Sequence, residues 1–134
     1  MRKVMVFGTF DGVHDGHQSL FRQARQHGDY LIAVVAPDHI VEHLKGRAPH
    51  RTADERCEHL RDEDHVNEAV IGDEDLGSWE VIRRHRPDVV VVGYDQDELR
   101  KSIEASLETF NWHLELATAE AHKPEQYKSG LLNK

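Results

Sequence analysis

Apolar residues in this chain come in short runs, and glycine or proline punctuates each run. The run at 4–7 ends in Gly8, that at 30–36 stops at Pro37, and a more mixed one at 66–71 stops at Gly72. A fourth, at 89–92, is pure valine between Pro87 and Gly93 (after Asp88), and a weaker fifth covers 113–117. Short β-branched runs bounded in this way predict buried strands, and unbroken rather than alternating apolar character predicts a parallel sheet covered on both faces. Between the runs the period changes. Leu20, Phe21 and Ala24 share one face of a helix predicted over 16–27, with Gly28 as its stop. Thr52-Ala53-Asp54-Glu55 reads as a capping box for a helix running to about Arg61. Ser78 is placed to cap a helix that carries Val81 and Ile82 and ends before Pro87. Leu99, Ile103, Leu107 and Phe110 recur at helical spacing from about Gln96 onward. This alternation predicts an α/β chain: a single Rossmann-like doubly wound domain over 1–134, built on a five-stranded parallel sheet. Right-handed crossovers then align the turns that follow the strands along one rim of the sheet.

Composition narrows the function classes. A length of 134 residues suits one domain with an adequate core, and 38% hydrophobic with 31% charged residues suits a globular chain. The formal net charge of −8 leaves no basic excess for displacing counterions from nucleic-acid phosphates, so no nucleic-acid partner is expected. No apolar stretch approaches the ~20 residues of a membrane helix, and the opening residues run straight into a strand pattern; no membrane partner is expected and the chain reads as cytoplasmic. Cys57 is the one cysteine, set in the charged stretch Asp54-Glu55-Arg56-Cys57-Glu58-His59, and reads as structural rather than nucleophilic.

The chemistry concentrates between the first strand and the first helix, in Gly8-Thr9-Phe10-Asp11-Gly12-Val13-His14-Asp15-Gly16-His17. Gly8, Gly12 and Gly16 allow tight turning and close approach of a ligand to the backbone. The free N–H groups at the start of a helix favour anions, and His14 and His17 bracket that start. Two imidazoles three residues apart can donate to the oxygens of a phosphate chain. A glycine-rich strand–helix turn is common by itself, and one histidine pair among 11 histidines is unremarkable; the specificity lies in the whole string.

That string resembles the signature of the cytidylyltransferase-like nucleotidyltransferases, which share a His-x-Gly-His element with class I aminoacyl-tRNA synthetases. The resemblance spans essentially the whole chain. It implies that His14 and His17 contact the nucleotide phosphates and stabilise the transition state at the α-phosphorus, and that Gly8, Thr9, Phe10, Asp11 and Gly16 belong to the nucleotide site. It also implies a catalytic and substrate-binding role for Lys45, in Leu44-Lys45-Gly46-Arg47, with Arg47 second. Arg56 would lie near the substrate through an Arg-x-x-x-Glu-Arg element. A solvated helix-end lysine and ordinary helical ion pairs are the bland alternatives for Lys45 and Arg56. Gly93-Tyr94-Asp95-Gln96 follows the fourth strand on the same rim, where Asp95 would accept from ribose or base unless it merely caps a helix, and where Tyr94 is a substrate-binding candidate. Tyr127-Lys128-Ser129-Gly130 resembles a weakened form of the family's hydroxyl-rich motif for the β- and γ-phosphates, with Ser129 as the matching hydroxyl and the usual basic residue displaced to Lys134.

The implied reaction is attack by an acceptor phosphate on the α-phosphorus of ATP or CTP, with Mg²⁺ or another divalent cation neutralising charge and pyrophosphate leaving. No dedicated metal-ligand set stands out in the sequence. The string from Phe10 to Gln18 resembles the adenylyltransferase module of bifunctional flavokinase/FAD synthetases, and the chain length with the Gly93-Tyr94-Asp95-Gln96 turn resembles small archaeal FAD synthetases. Glycerol-3-phosphate cytidylyltransferases usually carry Gly-Asp-Asp-Trp at that turn. ATP and FMN giving FAD is therefore the favoured expectation. A CTP-dependent transfer to glycerol 3-phosphate or a similar small phosphorylated alcohol is the alternative, followed by sugar-nucleotide synthesis. A nucleotide-binding protein without catalysis is a further class, supported by the weak C-terminal motif. Small-molecule substrates and a homodimer are the expected partners.

Overall fold

The computed structural model describes residues 1–121. Five strands form one parallel sheet in the order β3-β2-β1-β4-β5: β1 (Lys3–Gly8), β2 (Tyr30–Val35), β3 (Glu68–Ile71), β4 (Val89–Val92) and β5 (Glu115–Thr118). The expected α/β architecture is thus present. The strands alternate sides in the way a doubly covered sheet requires. Val4 and Val6 face a core with Phe21, Ala24, Cys57 and Leu60, while Met5 faces a second core with Val81, Ile82 and Ile103. Helices α1 (Asp15–Arg25) and α3 (Ala53–Arg61) therefore cover one face, and α4 (Glu80–His85) and α5 (Asp97–Ser106) cover the other. All four valines of β4 are buried, because β4 lies inside the sheet with a layer on each side. Cys57 lies in the first core, where burial pushes its thiol up and away from reactivity.

Several boundaries differ from the sequence pattern, each for a physical reason. β3 begins at Glu68 rather than 66, because the Asn67 side chain takes the place of backbone and accepts from Leu31 N at 2.9 Å. The fourth helix is not capped by Ser78: Trp79 occupies the N-cap in a left-handed conformation (φ 57°), and Asp73 Oδ1 accepts from Val81 N at 3.0 Å instead. The last helix tightens to a 3₁₀ turn at Leu107–Thr109, which leaves Phe110 beyond its end. Helix α2 (Asp38–Lys45) is an element that the apolar runs did not single out; it is short, starts at Pro37 and has two buried residues, Ile40 and Val41. The Thr52–Glu55 capping box is present as expected, with Glu55 N donating to Thr52 Oγ1 at 3.2 Å and Thr52 N to Glu55 Oε1 at 2.9 Å.

The strand order places the chemistry. Connections from β1 run outward through β2 to β3, then return across the sheet to β4 and β5. The direction reverses between β1 and β4, and an open parallel sheet leaves a crevice at the carboxyl ends of its strands at that point. The turn after β1 holds Thr9–His14 and the turn after β4 holds Gly93–Gln96, so the two segments singled out in the sequence meet at this crevice.

Candidate active site

The His14–His17 segment folds as a capping box made of two histidines. His14 is the N-cap of α1, and its Nδ1 accepts from Gly16 N at 3.0 Å; His17 Nδ1 accepts in turn from His14 N at 3.3 Å. Glycine at position 16 has a steric reason, since a Cβ there would meet His14 Cε1 at 2.9 Å. With both Nδ1 atoms accepting from backbone N–H groups, the N–H that each ring can offer a ligand is on Nε2. The rings stack at 3.8 Å between centroids, and the edge of Phe10 packs on His17 at 5.1 Å. Phe10 itself is buried with φ 53°, its ring filling the space left open by Gly8, where a Cβ would come within 2.8 Å of it. Burial, followed by the charge of His14, pushes the proton affinity of His17 down to about 4, while the Gly12 carbonyl and Asp95 pull the other way. His17 is therefore a neutral N–H donor at neutral pH.

Around this pair lies a cavity of about 730 Å³, within the size range of ligand sites. Gly8, Thr9, Phe10, Asp11, Gly16, Lys45, Arg47, Tyr94 and Asp95 line it together with the two histidines. Lys45, at the end of α2, and Arg47 line the cavity as exposed side chains and make no ion pair or side-chain hydrogen bond among the described residues. Tyr94 and Asp95 are exposed on the opposite side. Ser129 lies outside the described residues, as does Lys134.

One expected substrate contact, that of Arg56, is corrected, and Asp11 proves to be held by two loop N–H groups. Arg56 is fully buried and does not reach the cavity. Its guanidinium donates to Thr9 O at 2.8 Å, Arg51 O at 3.0 Å and Asp38 Oδ1 at 2.7 Å. The side chain ties α3 to the β1–α1 turn and to the start of α2, so it positions Thr9 instead of touching a ligand. Asp11 lines the cavity, but its two oxygens accept from His50 N at 2.6 Å and Arg51 N at 3.0 Å. Those bonds, the His50 one foremost, hold its carboxyl below the usual range and make it a staple between two loops.

The sequence reading missed three features. His50 lines the cavity, brought there by the Asp11 staple across 39 positions of sequence, for which no local signal exists. Gln96 crosses the crevice, its Oε1 accepting from Gly93 N at 2.6 Å and its Nε2 donating to Phe7 O at 3.0 Å, which locks the β4 turn to the end of β1. The sequence places Gln96 in the turn on the site rim and at the start of the last helix, but gives its side chain no contact. Third, a second and mostly apolar cavity of about 390 Å³ adjoins the first at Phe7, Gly8, Thr9, Asp95 and Gln96. It lies at the ends of β2 and β3 and is lined by Val35, Ile40, Leu44, Leu76 and Trp79, with Asp73, Asp75, Asp97 and Glu98 but no lysine or arginine.

Comparison with known proteins agrees with this geometry. The chain is similar to the FAD synthase of Pyrococcus abyssi (37% identical over 85% of this chain and 77% of that one). It is likewise similar to that of Thermococcus sibiricus (35% identical over 95% and 83%). Among solved structures it resembles a lipopolysaccharide core biosynthesis protein from Thermoplasma volcanium, with a TM-score of 0.78 and 25% identity over 92% of this chain and 99% of that one. The family model described as cytidylyltransferase-like matches residues 5–129, and with the paired histidines at the β1–α1 turn this places the chain in the cytidylyltransferase-like family.

Proposed function

We propose that this protein transfers AMP from ATP to FMN, giving FAD and pyrophosphate. The observation that carries the reading is the pairing of a polar cavity, lined by His14, His17, Lys45 and Arg47, with an adjoining apolar one at the switch point of the sheet. The first suits a triphosphate and an attacking phosphate; the second suits an acceptor with a large uncharged body. Glycerol 3-phosphate has no such body. The similarity to FAD synthases over most of the chain points to the same acceptor.

A phosphate oxygen of FMN attacks the α-phosphorus of ATP, the bond from that phosphorus to the bridging oxygen of the β-phosphate breaks, and pyrophosphate leaves. Negative charge grows on the non-bridging α-oxygens and on the leaving group. The Nε2–H groups of His14 and His17 donate to those oxygens, and the opening N–H groups of α1 add their partial charge. A neutral His17 loses no stabilisation through proton transfer and acts as a fixed dipole. Lys45 and Arg47, on the α2 side, attract the acceptor phosphate and hold it in line. Asp95 accepts from the ribose or base of the nucleotide, beside Tyr94. Mg²⁺ enters with the triphosphate as the MgATP substrate. Among the described residues no group of three or more His, Cys, Asp or Glu is placed to hold a metal, so the donor set suits an ion ligated mainly by phosphate and water.

The test is to incubate the protein with Mg²⁺ and ATP or CTP, each with FMN, glycerol 3-phosphate or a sugar 1-phosphate, and to measure pyrophosphate and FAD. Stoichiometric FAD and pyrophosphate from ATP and FMN are expected. Turnover only with CTP would overturn the acceptor and donor assignments together, and no turnover with any pair would overturn the enzyme reading.

A further inference from the structure

The two tryptophans of the chain are treated differently by the fold. Trp112 donates its indole N–H to Pro87 O at 2.8 Å and lies under the Arg86 guanidinium at 4.5 Å. Trp79 is buried, yet its Nε1 has no hydrogen-bond partner, the one such buried side-chain atom among the described residues. An unpaired donor held away from water is costly, and a buried indole N–H ordinarily finds an acceptor. The backbone at Trp79 adds to that cost: φ is 57° at a bulky residue that has no glycine-like freedom. A strained backbone and an orphaned donor at one residue mark a position held for something other than its own packing.

That position is the wall of the apolar cavity. Trp79 meets Phe7 edge-on, with centroids 5.6 Å apart and planes at 76°, and Phe7 also lines the cavity of the two histidines. Leu44 and Leu76 stand at the mouth with more than half of their surface exposed, although both are leucines. Among the described residues the rim is acidic and carries no lysine or arginine, so it repels phosphate and admits an uncharged group. The occupant that fits is therefore flat, apolar on its faces and equipped with a hydrogen-bond acceptor on its edge.

We infer that Trp79 is a specificity-determining residue for the acceptor, its indole N–H donating to an edge carbonyl or ring nitrogen of a planar heteroaromatic group held between Phe7, Leu44 and Leu76. The inference rests on the FMN reading, in which that group is the tricyclic ring of the flavin. The ring enters the apolar cavity and its phosphate reaches Lys45 and the histidines across the shared wall; the indole N–H, closed off from the cavity in this structure, meets the ring edge by a turn of the side chain as the cavity fills. A site that pairs a donor with one polar edge discriminates far better than an apolar pocket alone, because the wrong acceptor leaves the donor unpaired.

Trp79→Phe keeps an aromatic ring and removes the N–H. Steady-state FAD formation should show a KM for FMN raised about tenfold, with kcat and the KM for ATP each within about twofold of wild type. Leu76→Asp provides a second variant at an exposed position where folding is not in question, and should raise the KM for FMN by a similar factor without moving that for ATP. Wild-type turnover of FMN together with an unchanged FMN KM in Trp79→Phe, whatever Leu76→Asp does, would overturn the inference and leave the FMN reading standing. A rise confined to the KM for ATP would assign the cavity to the nucleotide and overturn it as well. Failure of the wild-type protein to adenylylate FMN would overturn the FMN reading and this inference with it.

Discussion

The two cavities at the rim of the sheet are built on opposite plans. The larger draws on one stretch of chain more than on any other: eight of its lining residues come from the segment Gly8 to His17. Its polar groups are locally hydrogen-bonded and tied in place, with His14 and His17 closing one capping box at the start of α1, Asp11 stapling the turn to His50 and Arg51, and Arg56 holding Thr9 O. The smaller draws on β2, α2, the segment before α4 and the start of α5, and its walls are side chains that elsewhere form core. On the proposed reading, one region is preorganised around where charge develops and the other selects the acceptor by shape. The reaction type and the acceptor would then be determined by different parts of the chain, and could be broken separately.

The largest effect is expected from the piece that frames both. Arg56→Met removes three hydrogen bonds made by a fully buried guanidinium and releases Thr9, which lines both cavities. A loss of about 3 kcal/mol is expected, seen as a fall in melting temperature of about 10 °C by circular dichroism. If Arg56 instead contacts substrate, the melting temperature should stay put while the KM for substrate rises.

Next comes the polar cavity alone. His17→Ala removes a donor aimed at developing charge and should lower kcat by at least about 100-fold, or about 2.7 kcal/mol, with the fold retained. A rate within a few-fold of wild type would remove His17 from the mechanism.

The smallest expected effect is on stability against pH. The proton affinity of His17 lies near 4 in the folded chain, against 6.5 for the free side chain. Between those values the unfolded chain binds a proton that the folded chain does not, so the contribution of neutral His17 is full above about pH 6.5 and is lost as pH falls toward 4. In His17→Gln this loss is absent. The stability difference between wild type and variant should therefore change by about 1 kcal/mol between pH 7 and pH 4, in the direction that disfavours wild type in acid. Denaturant titrations at the two pH values measure it, and parallel pH profiles would show that His17 is not held neutral by burial.

How much of this was legible in the sequence follows the same division. The strands were visible because buried parallel strands are continuous apolar runs, and β4 with its four valines is the clearest case. The polar cavity was legible because its residues are contiguous: a capping box that uses histidines at positions 14 and 17, with a glycine at 16 making room for a ring, is one short string. The apolar cavity was not legible. Val35, Ile40, Leu76 and Trp79 look like ordinary core residues, and only the sheet order brings them together beside Phe7. Arg56 was misplaced for a related reason. Its element pointed to the site, but whether a guanidinium faces ligand or backbone carbonyls depends on Thr9 and Asp38, 47 and 18 positions away. Helix α2 was passed over because eight residues with two buried positions give too little periodicity to read.

The separation of chemistry from acceptor choice is tested most directly by the KM for FMN in His17→Ala, measured by FAD formation at saturating MgATP. The account predicts that it stays within about threefold of wild type while kcat falls at least about 100-fold, since His17 acts on charge that exists only in the transition state and the flavin ring is held elsewhere. An FMN KM that rises by an order of magnitude with kcat preserved would contradict it, and would make the histidine pair part of the acceptor site.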